Sequence, residues 1–432
     1  MHVLVRVGNV RVRALSVWQD TPVISCEEAL RLLLESATVA PGRMLPLAQA
    51  TGTVTAAPVT ARLAVPAFAN AAMDGYALRA SATQPASAGT PVRLTVLGTI
   101  AAGDPPRAAG GVVCVEIFTG AAVPAGLDAV IPLERVTRLA AGTDAGTSIL
   151  ITEPVRPGQN IRQTAEDFAQ GETVVDAGTR LRPQHLMALA ACGVDEVPVV
   201  PAPRVAILTT GNELHDRGAD LAPGQIRDAN GPYLRALLPL LGAELTRLGT
   251  AADCASALRD RLLELATGAE VIVTTGGVSA GRLDLLPAVV RELGGEMIFH
   301  RVAIRPGKPV LHARLPGGVL LFGLPGNPLA VAVGMRFFVT PALRALQGLP
   351  PELPLPAMTS APVRGRGALR FFAKACVEVD PSGRRLVHML PGQESFRIAP
   401  LLKANCWAIV PEGESAIPAG STLATLPLYP EL

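Results

Sequence analysis

At 432 residues the chain is longer than one average domain and has room for roughly two to four. Hydrophobic residues make up 49% and charged residues 17%, so several cores can be built. A net charge of +2 with no basic cluster argues against nucleic acid as the partner. Gly (42) and Pro (39) are abundant and aromatics are scarce at 3%, which favours many short elements over long helical bundles.

Cys26, Cys114, Cys192, Cys254, Cys376 and Cys406 are scattered without a C-x-x-C pair. That is neither a zinc pattern nor a disulfide framework, and they read as small buried side chains in a reducing compartment. The opening M-H-V-L-V-R-V-G-N-V-R-V-R alternates apolar and polar residues and lacks the apolar core of a signal peptide. No uninterrupted apolar run of about 18 residues follows. A soluble, cytoplasmic protein with no membrane partner is therefore expected. Residues before Thr21 read either as a strand-like extension or as a mis-assigned start.

From Ser25 to Glu35, S-C-E-E-A-L-R-L-L-L-E carries a cap residue with Glu28 three positions on, a capping-box pattern. Leu30, Leu33 and Leu34 form its apolar stripe. From Thr51 to Pro66 the Thr- and Val-rich text predicts short strands. N-A-A-M-D-G-Y, from Asn70 to Tyr76, holds Asp74 in turn chemistry. From Val92 to Leu150, runs of Val, Ile and Leu alternate with Gly and Pro and predict a small β domain. Within it, Thr119 and Gly120 either face a polar ligand or simply turn the chain. Asn160, Arg162, Glu166 and Asp167 crowd a loop without helical periodicity, and Gln184 to Ala191 predicts a short helix.

At Pro203 the texture changes. R-V-A-I-L-T-T-G-N-E-L, from Arg204 to Leu214, reads as a buried strand, a Gly turn and an acidic residue, Glu213. I-R-D-A-N-G-P-Y-L places Asp228 and Asn230 just before a helix through Leu234, Leu237, Leu238 and Leu241. Pro232 is tolerated in its first turn, and Pro239 should kink or shorten it. A strand from Leu245 to Gly249 and an amphipathic helix from Ala255 to Ala266 follow. V-I-V-T-T-G-G-V-S-A-G-R-L-D, from Val271 to Asp284, is a strand, then a turn through Gly276, Gly277, Ser279 and Gly281, then a carboxylate. Leu285, Leu286, Val289, Val290 and Leu293 repeat behind it at helical spacing. Such a turn aims backbone N–H groups at an anion. Met297 to Ile304 is strand-like and precedes R-P-G-K-P with Arg305 and Lys308. Val319 to Leu324 runs into L-P-G-N-P with Gly326 and Asn327, ahead of an apolar helix from Leu329 to Phe338.

The pattern predicts a multidomain α/β plus β chain, whose central unit is three-layered with a mostly parallel sheet. The Pro-rich stretch from Gly348 to Pro356 is a natural boundary before a last small β domain. The strands at Val205, Val271 and Val319 all end in Gly turns with polar side chains, and ligands of open parallel sheets bind at those carboxyl edges. Glu213, Asp228 and Asp284, with Asp167 from the earlier loop, are the carboxylate candidates; Arg282, Arg305 and Lys308 are the cations. Carboxylates and a phosphate-type anion share an edge when a hard divalent ion such as Mg2+ bridges them. Lysine and arginine then neutralise the rest of a multiply charged oxyanion. The residues alone reach metal-assisted chemistry on a phosphorylated ligand.

Taken together, M-D-G-Y-A at Met73, F-T-G-A-A-V-P at Phe118, N-I-R-x-x-x-E-D at Asn160, T-G-N-E-L at Thr210, I-R-D-A-N at Ile226, G-G-V-S-A-G-x-x-D at Gly276, R-P-G-K-P at Arg305 and G-L-P-G-N-P at Gly323 resemble the molybdopterin molybdenumtransferase (MoeA) family, the molybdenum insertases. The resemblance covers nearly everything from Thr21 to Leu432. It implies an N-terminal dimerisation and linker domain from 21–57 and 151–202, an inserted small β domain from 58–150, an α/β molybdopterin-binding domain from 203–347 and a C-terminal β domain from 352–432. It also implies a homodimeric transferase that takes adenylylated molybdopterin and molybdate with Mg2+ and releases AMP. Asp74, Thr119, Asp167, Glu213, Asp228, Asp284 and Lys308 match residues the family uses. Glu213, Asp228 and Asp284 fall at the metal and phosphate end, and Lys308 with Arg305 would attract molybdate. Gly276, Gly277, Ser279, Gly281, Gly326 and Asn327 would hold the ligand, while Asp74 and Asp167 would complete the cleft from the neighbouring chain.

The chain also departs from the family. Arg305 stands where Lys is usual, Ala165 where Gly is common, and Asn212 where Asp is common. A family Arg falls on Ala373, with Lys374 beside it, and a Ser-Ser pair falls on Ala399-Pro400. Those last changes leave a non-catalytic molybdopterin-binding scaffold as the alternative. The related adenylyltransferase, built from the α/β domain alone, is a further one.

Overall fold

The computed structural model describes residues 22–109, 113–139, 147–215, 220–278 and 285–430, and the backbone of a hairpin formed by Leu4–Val7 and Val10–Arg13. The central unit holds six strands. Arg204–Thr210, Val271–Thr275 and Leu320–Leu324 lie side by side and parallel, with Glu244–Ala251 parallel on the outer side of the first. Leu311–Arg314 and Glu296–His300 extend the other edge antiparallel.

Alternation along these strands makes the three layers. Val205, Ile207, Val271, Val273, Leu320 and Phe322 face one side, where they pack with helices Cys26–Ser36, Asn230–Leu240 and Pro328–Leu346. Ala206, Leu208, Ile272 and Leu321 face the other, against helices Ala255–Ala266 and Leu286–Glu292. Fully burying a Leu, Ile or Val contributes roughly 1.5–3 kcal/mol. Both faces of the sheet are therefore held, which is why its strands read as continuous apolar runs. The Cys26–Ser36 helix is capped by Ser25, whose side chain accepts from the Glu28 N–H at 3.1 Å. It buries Cys26, Ala29 and Leu33 against this α/β core, not against the N-terminal strands.

Two stretches differ from the sequence expectation. The segment expected as one strand from Met297 to Ile304 stops at His300, because Arg301 adopts φ 76°. Ile304–Arg305 then pairs in parallel with Arg370 and Phe371 of the C-terminal domain. The helix expected to end at Phe338 runs from Pro328 to Leu346. A wider π turn over Met335–Val339 carries the helix past Pro341. This helix is long and apolar enough to cross a membrane, yet 78% of its most apolar window is buried inside the protein.

Two histidines of this sheet are buried, His300 and His312. His312 is fully buried, stacks on Phe322 at 4.4 Å and lies 2.8 Å from the Ser36 hydroxyl and 3.2 Å from the Leu321 carbonyl. Burial pushes its imidazole down to about 4 from an ordinary value near 6.5. The unfolded chain then binds a proton that the folded chain refuses. Stability should fall as pH drops from about 6.5 toward about 4, with a slope of at most about 1.4 kcal/mol per pH unit from this group. Denaturant titrations across that window should show a shallower loss in His312→Gln than in the wild type.

The C-terminal domain is a closed β barrel. Arg370–Val379 pairs with both Arg385–Met389 and Cys406–Val410, and Leu355–Thr359 and Thr422–Pro427 complete the ring. Phe371, Ala373 and Ala375 point into its core. Phe372 and Trp407 point outward and pack on Phe337 of the long helix, with the Phe337 and Phe372 ring centroids 3.7 Å apart. Toward the N-terminus, Ala50, Val59 and Ala61 share a core with Val175, Leu181, Leu189, Val197 and Val199. The chain between them forms, among its described residues, a sheet of four strands around Gly75–Leu78, one of three around Ser148–Ile151 and a two-stranded pair of Asn70–Ala71 with Ile161–Arg162.

Candidate functional site

The sheet topology selects one crevice. The chain leaves Arg204–Thr210 toward the outer strand and leaves Val271–Thr275 toward the opposite edge, so the crossovers diverge between these neighbours. Ligands of such sheets bind at that switch point, beyond the carboxyl ends of the strands. Thr210 and Thr275 end the two strands there, and the Thr210 hydroxyl donates to the Thr275 carbonyl at 3.1 Å. Both line a cleft of about 760 Å3 closed on its far side by the C-terminal domain.

The acidic wall of the cleft is built locally. Leu214–His215 pairs in parallel with Ile226–Arg227, and the Ile226 N–H donates to the Glu213 carbonyl at 2.8 Å. This short ribbon brings Glu213 and Asp228 to the same cleft. The Glu213 carboxylate folds over Gly211, so close that a Cβ there would lie 2.7 Å from Oε1. Asp228 Oδ1 accepts the backbone N–H groups of Asn230 and Gly231, both at 2.9 Å, and so caps the Asn230–Leu240 helix. Asn230 in turn donates from Nδ2 to the Gly326 carbonyl at 2.8 Å, tying the I-R-D-A-N and L-P-G-N-P turns together.

The same cleft is lined by Arg305 and Lys308, exposed on the R-P-G-K-P loop and without an ion-pair partner among the described residues. Gly326 and Asn327 complete the rim. The cleft therefore combines carboxylates with cations that have no ion-pair partner among the described residues, in a space large enough for a substantial polar ligand. Among the described residues no three His, Cys, Asp or Glu side chains converge as a metal cage.

Other predicted residues lie elsewhere. Gly276 and Gly277 sit behind the cleft beside Thr210 and Asp253. Gly276 has φ 91°, and an added Cβ would come within 2.6 Å of the Thr210 carbonyl oxygen and hydroxyl. Gly276→Ala should cost about 2 kcal/mol from the left-handed backbone and the clash; a thermal melt unchanged from wild type would contradict this. Ser279, Gly281, Arg282 and Asp284 lie outside the described residues. Asp74 and Thr119 meet in the small β domain, where Asp74 Oδ1 accepts from the Thr119 N–H at 2.7 Å and its hydroxyl at 2.8 Å. That backbone N–H, then the hydroxyl, holds the Asp74 carboxyl below the usual carboxylate range. Asp167 is exposed on its loop, held by its N–H to the Val65 carbonyl at 2.9 Å. None of these three lines the cleft of its own chain.

Two substitutions in the sequence acquire a structural meaning. Asn212 Oδ1 accepts from the Asp253 N–H at 3.1 Å, an exchange in which a second carboxylate would repel the Asp253 side chain. Ala373 points into the barrel, and the neighbouring Lys374 points out of it, as Arg370 does at the start of the same strand. Sequence reasoning missed Gln393, Ser395 and Phe396, which line the cleft from the C-terminal domain. Ala399 and Pro400, singled out there, do not line it. The only local signal was the Gly392 turn, and it does not say where the loop docks.

Comparison with known proteins follows the same architecture. The MoeA N-terminal region (domains I and II) matches residues 24–193, the probable molybdopterin-binding domain matches 206–345, and the MoeA C-terminal region (domain IV) matches 357–428. The molybdopterin molybdenumtransferase of Synechococcus elongatus is 35% identical over 408 residues, covering 92% of this chain and 98% of that protein. Molybdopterin molybdenumtransferase 2 of Mycobacterium tuberculosis is likewise 35% identical over 408 residues, with the same coverage. Two crystal structures of the molybdopterin biosynthesis MoeA protein of Pyrococcus horikoshii superpose with TM-scores of 0.80 and 0.79 at 30% and 28% identity. They cover 95% and 94% of this chain and 100% of theirs. The chain belongs to the MoeA family and, with its curated relatives, to the transferases of molybdenum cofactor biosynthesis.

Proposed function

We propose that this transferase binds molybdopterin in its adenylylated form, accepts molybdate as its second substrate, and releases AMP as the metal is loaded. The observation that carries the reading is that Glu213 and Asp228 share one cleft at the sheet's switch point with Arg305 and Lys308, which have no ion-pair partner among the described residues. Two carboxylates with room for ligand oxygens suit Mg2+, which keeps an octahedral shell by sharing few protein ligands with phosphate and water. Glu213 and Asp228 would hold it, with Asp284 assigned beside them by resemblance. Mg2+ would supply charge stabilisation to a departing phosphate.

The protein's own residues do the positioning. Arg305 offers a planar fork and Lys308 a point charge to an oxyanion, and both are free to meet it. Backbone groups of the turn at Gly326 and Asn327 define the neighbouring edge. We assign the protein to the cytoplasm as a homodimer in which Asp74, Thr119 and Asp167 reach the cleft of the partner. The lining of the cleft by Ser395 supports turnover over a non-catalytic scaffold. The N- and C-terminal matches speak against an adenylyltransferase made of the α/β domain alone.

Incubation of the purified protein with adenylylated molybdopterin, molybdate and Mg2+ tests the reading through AMP release and molybdenum loading. Both should depend on Mg2+. Tight binding of the pterin without any AMP would overturn it in favour of the scaffold.

A further inference from the structure

Lys374 is fully buried and forms no ion pair among the described residues. Its ammonium donates instead to two main-chain carbonyls, Gly392 at 2.6 Å and Arg397 at 3.0 Å. The same segment is fastened to the Lys374 backbone. Gln393 accepts the Lys374 N–H at 3.0 Å and donates from Nε2 to the Lys374 carbonyl at 2.8 Å and the Leu390 carbonyl at 2.7 Å. At its other end the segment reaches the α/β domain. Ser395 Oγ lies 3.2 Å from the Asn327 amide that donates to it, and the Leu329 N–H donates to the Ser395 carbonyl at 3.1 Å.

A buried ammonium without an ion-pair contact is costly unless its donors are used. Here they are spent on one loop, residues 392–397, that faces the cleft through Gln393, Ser395 and Phe396. Phe396 is 65% exposed at the rim, in a chain where aromatics are only 3% of residues. An exposed ring on a braced loop beside a polar cleft offers a flat apolar face to a planar heterocycle.

We infer that residues 392–397 form a substrate-positioning wall, with Lys374 as the positioning residue that braces it and Phe396 as the face that stacks on the heterocycle of the bound ligand. This rests on the cleft being the pterin site, and its test separates the two claims. Hydrogen exchange on the ligand-free, full-length protein reads the brace without any activity. In Lys374→Met the amides of 390–397 and of Leu329 should exchange at least about tenfold faster, with the rest of the barrel unchanged. Lys374→Arg, which keeps the donors, should recover part of that protection.

Binding of adenylylated molybdopterin, measured by calorimetry, and the KM for AMP release read the wall. Phe396→Ala, at an exposed position that leaves the fold intact, should weaken binding about five- to tenfold and raise KM with kcat nearly constant. The double variant Lys374→Met/Phe396→Ala should bind no worse than Lys374→Met alone, because an unbraced wall has already lost the ring. Unchanged exchange in Lys374→Met would overturn the brace. Wild-type affinity in Phe396→Ala, or fully additive losses in the double variant, would overturn the wall. A wild-type protein that neither binds the pterin nor releases AMP would instead sink the assignment of the cleft, while the exchange result still judged Lys374.

Discussion

Replacing Asp228 by Asn is expected to cut Mg2+-dependent AMP release by about 100-fold or more while leaving the melting temperature nearly unchanged. Asp228 has two roles that the substitution separates. One oxygen, Oδ1, accepts the N–H groups of Asn230 and Gly231 and caps a helix. The carboxylate also lines the cleft beside Glu213. Asparagine caps a helix as well as aspartate does, so the fold keeps its bonds. The charge is lost, and with it half of the described donor set for a hard cation. Asp228→Ala should show the same kinetic loss together with about 1 kcal/mol of destabilisation from the missing cap. If Asp228→Asn releases AMP at the wild-type rate, the carboxylate serves the helix alone and the metal lies elsewhere.

The second large effect concerns stability. Arg336, only 4% exposed on the long core helix, forks onto Glu352 at 2.8 and 3.0 Å and donates from Nε to the Pro427 carbonyl at 3.0 Å. One guanidinium thereby joins the core helix, the proline-rich boundary and the last strand of the barrel. Arg336→Ala leaves Glu352 half-buried without a partner and a carbonyl without a donor, which should cost about 3–5 kcal/mol. Differential scanning calorimetry should register a fall of roughly 5 °C or more. The double variant Arg336→Met/Glu352→Leu should recover much of the loss, since removing both charges leaves nothing uncompensated. A melt unchanged by Arg336→Ala would mean that the domains are held by the Phe337, Phe372 and Trp407 packing alone.

Much of the α/β unit was legible because its signals are local. Ser25 and Glu28 announce a helix start by their spacing, and that helix is capped at Ser25. Ala255 to Ala266 carries its amphipathic period over three turns, and the helix has those bounds. The helix expected from Leu329 to Phe338 runs on to Leu346, because the turn over Met335–Val339 widens and so accommodates Pro341. At Arg301 the difference runs in the other direction. A positive φ at a non-glycine residue has no sequence signature, and it splits one apparent strand into two that join different sheets.

The sequence by itself determined the buried strands, the glycine turns that end them and the residue types at their carboxyl edges. These depend on periodicity and backbone freedom, which neighbours in the chain specify. Only the tertiary structure decided which turns share a cleft. Strand order sets Thr210 beside Thr275, a two-residue ribbon carries Asp228 to Glu213, and the docking of the barrel brings Ser395 and Phe396 to Asn327 from far along the chain. Side-chain direction was decided there too. Strand alternation turns Ala373 into the barrel and Lys374 out toward the loop it braces, a one-residue difference that no composition or motif expresses.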